Sequence, residues 1–316
     1  MNTKAFSQWL KGIQKLSSQQ LASLKSTLDD TQPVVTETIN QEMVKACPHC
    51  QGQALQKFGW KDGLQRYRCK ACKATFNRLT GTALSRLRKK DQWLNVLESL
   101  NRRDTLDKMQ EHLLISRPTA IRWRRRFLKA LEPNHQPILN GIVEADETYI
   151  RRGQKGSRCV ERPARKRGEP ARSGGTQPED YLCLLTARDR SKQTAHHLTE
   201  SQKKEVFESF LKPRIAQDSI LCSDGQSGYQ KFSEKHGIQH VILRAKHREF
   251  VHAEVYHIQN VNAYHSRLKQ FFSYFKGVSA KNINVYLSWL DYLDKLNNLP
   301  EVPTPRQIFK NYILNT

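Results

Sequence analysis

Apolar residues recur at helical spacing through much of the first 135 residues. Residues 5–30 carry two such runs, and residues 81–135 carry three more. Between them, the stretch at 31–45 contains Pro33 and several threonines, and it is predicted to be a linker. Arg117-Pro118 opens the last run, where a proline at an early helical position costs no hydrogen bond. The pattern predicts a largely helical first part of the chain.

After residue 135, short apolar runs alternate with amphipathic segments. Strands are predicted at 142–150, 181–187, 194–198, 219–222 and 240–244. Helices are predicted at 203–211, at 229–235, from Asn262 onward and at 280–297. Residues 151–180 interrupt this order with many glycines, prolines and cations, which indicates a basic loop inserted between the first two strands. Strands that alternate with helices indicate an α/β domain.

Four cysteines form two CxxC pairs, Cys47 with Cys50 and Cys69 with Cys72. Pairs separated in this way are typical of a structural zinc site with four thiolate ligands, as in a zinc ribbon. Two unrelated CxxC turns or a pair of disulfides would be the alternative. The residues expected to form a small apolar cap on the metal site are Gly59, Trp60, Tyr67 and Phe76.

The charge of the chain favours a polyanionic partner. The 316 residues include 53 Lys and Arg against 30 Asp and Glu, for a formal net charge of +23. The excess is concentrated at 46–80, 81–135 and 151–173. Such an excess favours nucleic acid over a membrane surface as the partner. Because the sequence has neither a long apolar run nor a signal-peptide pattern at Met1–Leu10, we expect a protein of the cytoplasm or nucleoid with no membrane partner.

The arginine-rich segment after residue 116 suggests how the chain contacts DNA. A short helix, a turn at 114–116 and a helix full of arginines resemble a helix-turn-helix. A generic helical hairpin with a solvated basic face is the alternative. The residues predicted to bind DNA on this helix are Arg117, Arg122, Arg124, Arg125 and Arg126.

Two aspartates stand where an α/β fold gathers its chemistry. Asp146 lies inside the first predicted strand, and Asp224 follows the end of the fourth. Two aspartates on adjacent strands can share magnesium, which prefers oxygen ligands. Glu144 would share a strand face with Asp146, and Glu147 would point to the other face. In the alternative interpretation, Asp224 only caps a turn and Asp146 is an edge-strand carboxylate.

The order of these features resembles bacterial DDE-type insertion-sequence transposases, and most closely their zinc-ribbon, ISXO-like branch. The segments that carry the resemblance are Val143–Tyr149, Ser223–Gly225 and Val261–Lys269. It implies a catalytic domain with the ribonuclease-H-like fold, which holds two catalytic Mg²⁺ ions. It also implies a bacterial, nucleoid-associated protein that acts on double-stranded DNA.

The resemblance assigns roles to individual residues. Relatives often have a Glu seven residues before a Lys, and here Asn262 precedes Lys269 by seven. The implied metal ligands are therefore Asp146, Asp224 and Asn262. Lys269 would hold a DNA phosphate near the scissile bond. His265 would be an auxiliary ligand or a structural residue, and Glu254 is a substitute third carboxylate.

Together these features predict a multidomain α/β protein. The expected domains are an N-terminal helical segment at 1–45, a zinc ribbon at 46–80, a helix-turn-helix DNA-binding domain at 81–135, a ribonuclease-H-like catalytic domain at 136–300 and a C-terminal tail at 301–316. The expected function is a transposase that binds terminal inverted repeats, cleaves the element ends and joins 3′-hydroxyls to target DNA, as a dimer or larger assembly. Because Asn262 lacks a charge, a non-catalytic DNA-binding regulator or a domesticated transposase relative is the alternative.

Overall fold

The computed structural model describes residues 12–13, 16–21, 33–132, 136–154, 156–160, 180–201, 203–243, 251–301 and 303–314. Most of the predicted helices at 5–30 and of the basic loop at 151–180 lie outside the described residues. The chain divides into two compact units, a first unit of Met1–Leu131 with Pro300–Thr316 and a second unit of Glu132–Leu299. Among the described residues, no helix has the length and apolarity needed to cross a bilayer.

The first unit combines a small sheet with a group of helices. Helix α1 (Pro33–Gln41) precedes the sheet. The antiparallel sheet that follows contains β1 (Leu55–Lys61), β2 (Leu64–Cys69) and β3 (Thr75–Asn77), in that order. Three helices come next, namely α2 (Trp93–Asn101), α3 (Leu106–Leu113) and α4 (Arg117–Leu131).

Helix α1 shows that the predicted linker at 31–45 is wrong. The helix begins at Pro33, where the absence of an N–H costs nothing, and it buries Thr38 and Ile39 on one side. Asn40 ties the helix to β2, because its Oδ1 accepts a hydrogen bond from the N–H of Gln65 at 3.0 Å. The helical periodicity of apolar residues was not evident in the sequence, because the polar Thr38 takes one of the buried positions.

Helices α2 to α4 pack around large aromatic residues. The rings of Trp93 and Phe127 meet edge to face at 5.8 Å, and both side chains are fully buried. The side chain of Thr105 caps the start of α3 by accepting from the N–H of Lys108. Leu114 ends α3 in a left-handed conformation with φ of 50°, and α4 begins three residues later. A tight turn therefore joins α3 to the arginine-rich helix.

The second unit is built on a mixed five-stranded sheet. Its strands are β4 (Ile142–Arg151), β5 (Tyr181–Asp189), β6 (Thr194–Thr199), β7 (Ile220–Ser223) and β8 (Gln239–Ile242). The spatial order is β6-β5-β4-β7-β8. The pairs β4–β5 and β5–β6 are antiparallel, whereas β4–β7 and β7–β8 are parallel. All five predicted strands are present, each within two residues of its predicted bounds.

Four helices accompany this sheet. They are α5 (Lys204–Leu211), α6 (Ser227–His236), α7 (Gln259–Tyr274) and α8 (Ile283–Asn297). Phe207 of α5 and Tyr229 of α6 share one core with Val143 and Ala145 of β4. These strand residues alternate with Glu144, whose side chain contacts α7. Successive residues of β4 therefore serve two different sets of helices.

The C-terminal residues return to the first unit. Helix α9 (Pro305–Ile308) starts with a capping box formed by Thr304 and Gln307. Ile308 and Phe309 are fully buried, and the Phe309 ring lies 6.0 Å from that of Trp93. The segment expected only as a tail thus completes the core of the first unit.

Gly228 allows a close approach between α5 and α6, and this contact is testable. A Cβ at Gly228 would lie 2.6 Å from the ring of Phe207. Because that ring is fully buried, we expect Gly228→Ala to lower the free energy of unfolding by about 1–3 kcal/mol. Chemical denaturation of the full chain measures the change.

The control for this substitution is Gln230→Ala, at an exposed position of the same helix, which should change stability by less than about 0.5 kcal/mol. Adding Phe207→Leu to Gly228→Ala should cost less than the sum of the two single changes, because the smaller side chain relieves the overlap. Unchanged stability in Gly228→Ala would contradict the close packing of α5 on α6.

Candidate metal-binding and DNA-binding sites

The four cysteines of the CxxC pairs converge on one point in the first unit. Their sulfur atoms lie within 4.8 Å of one another, with Cys47 and Cys72 at 3.6 Å and Cys50 and Cys69 at 3.6 Å. All four are free thiols, which excludes the alternative of two disulfides. Sulfurs bound to one tetrahedral zinc ion at about 2.3 Å would be about 3.8 Å apart. The distances therefore fit a single tetrahedral metal ion.

Both CxxC segments fold into the same backbone turn. In each, the residue after the second cysteine, Gln51 or Lys73, has a φ of 61° and donates its N–H to the carbonyl of the first cysteine. The N–H groups of Cys72 and Ala71 also point to the sulfur of Cys69, and they lower the pKa of this thiol to about 7. The N–H of Ala74 lowers the pKa of Cys72, but hydrogen bonding to Cys50 and burial outweigh it and raise this pKa to about 12. The second turn thus favours the thiolate that a metal requires at Cys69.

The predicted apolar cap is present only in part. Tyr67 stacks on Phe76 at 5.9 Å, and Phe76 belongs to one buried cluster with Cys47 and Cys69. Trp60 takes no part in this cluster and is 64% exposed, contrary to prediction. The pairing of β1 with β2 is irregular between Lys57 and Trp60, and this bulge breaks the side-chain alternation on which the prediction depended.

Two of the five arginines predicted to contact DNA are used inside the first unit. Arg124 is only 5% exposed and donates a hydrogen bond to the carbonyl of Asp104, so its predicted role in DNA binding is wrong. Arg126 is half-buried and donates to the carbonyls of Ala83 and Ser85 at 2.7 and 2.9 Å. Both arginines fall on the inner side of α4, which a count of cations in the sequence does not reveal.

The other three arginines of α4 face outward. Arg122 and Arg125 are exposed and lie on the same side of the helix, three residues apart. Arg117 is also exposed, and it forms an ion pair with Asp107 of α3. The helix therefore offers Arg122 and Arg125, and Arg117 once its partner is displaced, for contact with an anionic ligand.

In the second unit, three carboxylates meet beside the end of β7. One oxygen from each of Asp146, Glu147 and Asp224 lies within 4.8 Å of the others. The cause is the register of the parallel pair β4–β7, in which Glu144 stands opposite Cys222. Two residues further along each chain come Asp146 and Asp224, which the sheet thus brings side by side.

Glu147 is the member of this cluster that sequence analysis left out. It does lie on the opposite face of β4 from Glu144, where the hydroxyl of Tyr229 donates to its Oε2 at 3.1 Å. However, β7 ends at Ser223 while β4 continues to Arg151. Side chains from both faces of β4 can therefore reach the space beyond the end of β7. The sequence signal that could have identified Glu147 is the difference in length between the strands predicted at 142–150 and 219–222.

The environment of Glu147 holds three negative charges together. Burial, followed by the charges of Asp224 and Asp146, raises the pKa of Glu147 to about 7, although the Tyr229 hydroxyl opposes this rise. Without a cation the cluster is therefore electrostatically strained at neutral pH. Oxygen ligands at this spacing are suited to a hard divalent ion such as Mg²⁺.

A tight turn fixes the position of Asp224. Its Oδ1 accepts a hydrogen bond from the N–H of Gln226 at 3.1 Å, so the aspartate does cap a turn. Gly225 has a φ of 88°, and a Cβ there would lie 2.6 Å from Ile242, so glycine is required. The two interpretations of Asp224 are compatible, because a carboxylate has two oxygens and several acceptor sites, so one can cap the turn while another binds a ligand.

Glu144 joins β4 to the start of α7. Its carboxylate is fully buried and accepts hydrogen bonds from the N–H of Val261 at 2.9 Å and the amide of Asn260 at 2.8 Å. Arg190 forms an ion pair with the same carboxylate at 2.7 Å, and His257 lies 3.3 Å away. A negative charge at a helix N-terminus is stabilised by the unpaired N–H groups there. Glu144 thus fixes α7 against the strand that carries Asp146.

Helix α7 brings one predicted residue directly to the cluster. The buried His265 lies with Nδ1 3.3 Å from Oδ2 of Asp146. Asn262 and Lys269 stand three residues before and four residues after it, on the same side of the helix, and both are exposed. Glu254, the substitute carboxylate, is exposed in a turn and is not part of the cluster of three.

The cysteine site predicts a dependence of the first unit on metal. We expect Cys69→Ser to reduce bound zinc from about one ion per chain to less than half, because a buried thiolate is lost. Elemental analysis of the purified protein measures the ratio. Cys159→Ser, at an exposed cysteine outside the site, should retain the full amount. Full zinc in Cys69→Ser would show that the four thiols are not the ligands.

The raised pKa of Glu147 predicts a pH-dependent effect on stability. In magnesium-free protein, folding raises this pKa from its ordinary 4.5 to about 7, so stability is lost as pH rises through this range. Glu147→Gln removes the penalty, and it should stabilise the protein by about 3 kcal/mol at pH 8 but by less than about 1 kcal/mol at pH 5. Denaturant unfolding at both pH values measures the difference.

The matched control is Glu234→Gln, at an exposed glutamate of α6, and it should have the same small effect at both pH values. A gain in Glu147→Gln that is equal at pH 5 and pH 8 would contradict the electrostatic origin of the strain.

Comparison with known proteins relates these sites to a family. Residues 138–293 match the family model described as the ISXO2-like transposase domain, and they include the three carboxylates and α7. A protein of Halobacterium salinarum, described as an uncharacterized protein in transposable element ISH50, is 29% identical over 244 residues. The match covers 76% of this chain and 82% of that protein.

Solved structures give weaker similarities. The crystal structure of a pre-cleavage Mos1 transpososome covers 64% of this chain and 75% of its own, with 13% identity and a TM-score of 0.26. The Mos1 strand transfer complex covers 67% and 77%, with 13% identity and a TM-score of 0.25. Scores this low do not establish a common fold. Residues 138–293 therefore form an ISXO2-like transposase domain, and the chain is similar over most of its length to a protein of a transposable element.

Proposed function

We propose that this protein cuts the ends of its DNA element and joins the freed 3′-hydroxyls to target DNA in a reaction that depends on divalent metal. The observation that carries the proposal is the cluster of Asp146, Glu147 and Asp224 within the ISXO2-like transposase domain. Phosphodiester chemistry of this kind depends on positioned charge more than on a protein nucleophile. A cluster of carboxylates at the end of a central strand suits that requirement.

The topology of the second unit supports a ribonuclease-H-like catalytic domain. Three antiparallel strands are followed by two parallel ones, in the order β6-β5-β4-β7-β8. The first strand of this unit, β4, therefore lies at the centre and carries a candidate ligand, and another candidate ligand, Asp224, directly follows β7. This arrangement is the one expected from the resemblance in sequence.

The ligands in this proposal are Asp146 and Asp224, with Glu147 as the third carboxylate. The strain among the three charges supports a bound cation, because a divalent ion would neutralise them. Magnesium held by these oxygens would activate a water or 3′-hydroxyl and would stabilise the leaving oxygen. Asn262, which is exposed on α7, would add a neutral oxygen from the facing helix.

Residues around the carboxylates have supporting roles in the proposal. Glu144 positions α7, and His265 restrains the carboxylate of Asp146. Lys269 lies one turn beyond His265 on the same side of α7, where its charge would hold a phosphate of the scissile strand. These groups orient the DNA and the ligands without taking part in bond breakage.

In the first unit, the four cysteines would hold a zinc ion, and the ribbon and helices would bind the element end. Helix α3, the turn at Leu114 and helix α4 support a helix-turn-helix in which Arg122 and Arg125 contact DNA. Because two element ends must be joined in one event, we propose a dimer or larger assembly on the DNA.

A strand-transfer assay tests the proposal. Purified protein, Mg²⁺ and a labelled duplex that carries the flanking element end should give joined products. Asp224→Asn and Glu147→Gln should each lower the yield by about 100-fold or more, because a charged ligand is lost. Glu254→Gln, outside the cluster, should retain wild-type activity.

The same assay separates the alternatives. Tight DNA binding with no joined or cleaved product from wild-type protein would favour a non-catalytic regulator. If Asn262→Ala abolished activity while Glu147→Gln retained it, the third ligand would be Asn262 instead of Glu147.

A further inference from the structure

We propose that a basic cleft in the first unit holds the phosphate backbone of one strand of duplex DNA, as a contact surface additional to Arg122 and Arg125 of helix α4. The cleft has a volume of about 1130 Å³ and lies between the zinc-ribbon sheet and the segment at 79–90. This inference rests on the proposed function, since it assigns a surface for the DNA that a transposase must hold.

The cleft is lined by cations from both sides. The ribbon contributes Lys61 and Arg66, and the segment at 79–90 contributes Arg86, Arg88, Lys89 and Lys90. The acidic residue in the lining is Asp62 alone. An excess of this size in one concave surface focuses a positive potential, which attracts a polyanion more strongly than isolated surface cations do.

The segment at 79–90 is firmly built although it has little regular structure. Leu84 and Leu87 are buried, and the guanidinium of Arg126 reaches from α4 to the carbonyls of Ala83 and Ser85. This anchoring explains why Arg126 is not free on the surface of α4. It fixes the backbone directly before Arg86 and Arg88, which line the cleft.

Two of these cations occupy a costly backbone conformation. Arg86 and Lys89 have φ values of 58° and 52°, in the left-handed region that side chains with a Cβ seldom adopt. Such conformations persist only where the surrounding structure imposes them, and they concentrate at functional sites. On the facing wall, the hydroxyl of Thr75 accepts a hydrogen bond from Arg66 at 3.1 Å and orients its guanidinium.

The lining favours the backbone of DNA over its bases. Bases are held by stacking on exposed aromatic rings, whereas Phe76, the phenyl ring in the lining, is buried at the metal site. The exposed ring of Phe58 lies outside the lining, with the guanidinium groups of Arg66 and Arg68 over it at 5.6 and 5.5 Å. The exposed ring in the lining is the imidazole of His49, and it stands among many cations. Such a surface positions a nucleic acid mainly through its phosphates and carries little base specificity.

The salt dependence of DNA binding tests this cleft. The test variant is Lys61→Gln with Lys90→Gln, one lysine from each wall. The matched control is Lys57→Gln with Lys70→Gln, two exposed lysines of the same ribbon that do not line the cleft. Each variant is titrated with a labelled duplex from the DNA that flanks the coding sequence, at several salt concentrations, after its zinc content is verified.

We expect the test variant to reduce the slope of log K against log salt by about 1.8, because each phosphate contact contributes about 0.9. The control should keep the wild-type slope. The same shift should occur with a duplex of unrelated sequence, because backbone contacts do not read bases. Equal slopes for the test and control variants would overturn the proposal, as would tighter binding of a single strand than of the duplex.

Asp224→Asn separates this inference from the proposed function. It should bind with the wild-type slope while it loses strand transfer. If wild-type protein bound DNA through the cleft lysines but never joined strands, the result would contradict the proposed transposition chemistry and support the proposed cleft. If strands were joined while the cleft variant kept the wild-type slope, only the cleft would fail.

Discussion

The candidate site of the second unit depends on one buried negative charge, the carboxylate of Glu144. Removed from water on a central strand, this group would be very costly without partners. It has four, of which two belong to the first turn of α7 and a third is the guanidinium of Arg190. These contacts therefore fix the distance between α7 and β4 and the rotation of α7 about its own axis. The contact between His265 and Asp146 one turn further along α7 follows from that placement.

The carboxylate cluster illustrates the opposite use of charge. Glu144 is neutralised by groups of the chain itself, whereas Asp146, Glu147 and Asp224 repel one another and leave Glu147 with a pKa near 7. Glu144 and Asp146 are thus two residues apart on β4 but differ in role. Glu144 holds the helix against the strand, whereas Asp146 belongs to a cluster whose negative charges repel one another. The difference arises because β7 stops at Ser223 and exposes the edge of β4 beyond that point.

The strands of the second unit and the cysteine cluster of the first unit could be predicted because their signals are local. Apolar runs such as 181–187 identify strands without knowledge of their neighbours, and paired CxxC segments identify a metal site by spacing alone. The errors concern residues whose role depends on distant parts of the chain. Arg124 is buried because α4 turns it toward Asp104, and Trp60 is exposed because a bulge changes its direction. Glu147 required knowledge of where a neighbouring strand ends.

The return of the C-terminal segment to the first unit sets an order of assembly during synthesis. Phe309 lies against Trp93, although the entire second unit separates them in sequence. The ribosome therefore produces all of the second unit before it supplies the last part of the first unit's core. The unit that carries the carboxylate cluster can finish folding first, and the unit that carries the cysteine cluster and α4 is completed last. A nascent chain thus assembles its carboxylates before the core beneath its arginine-rich helix is complete.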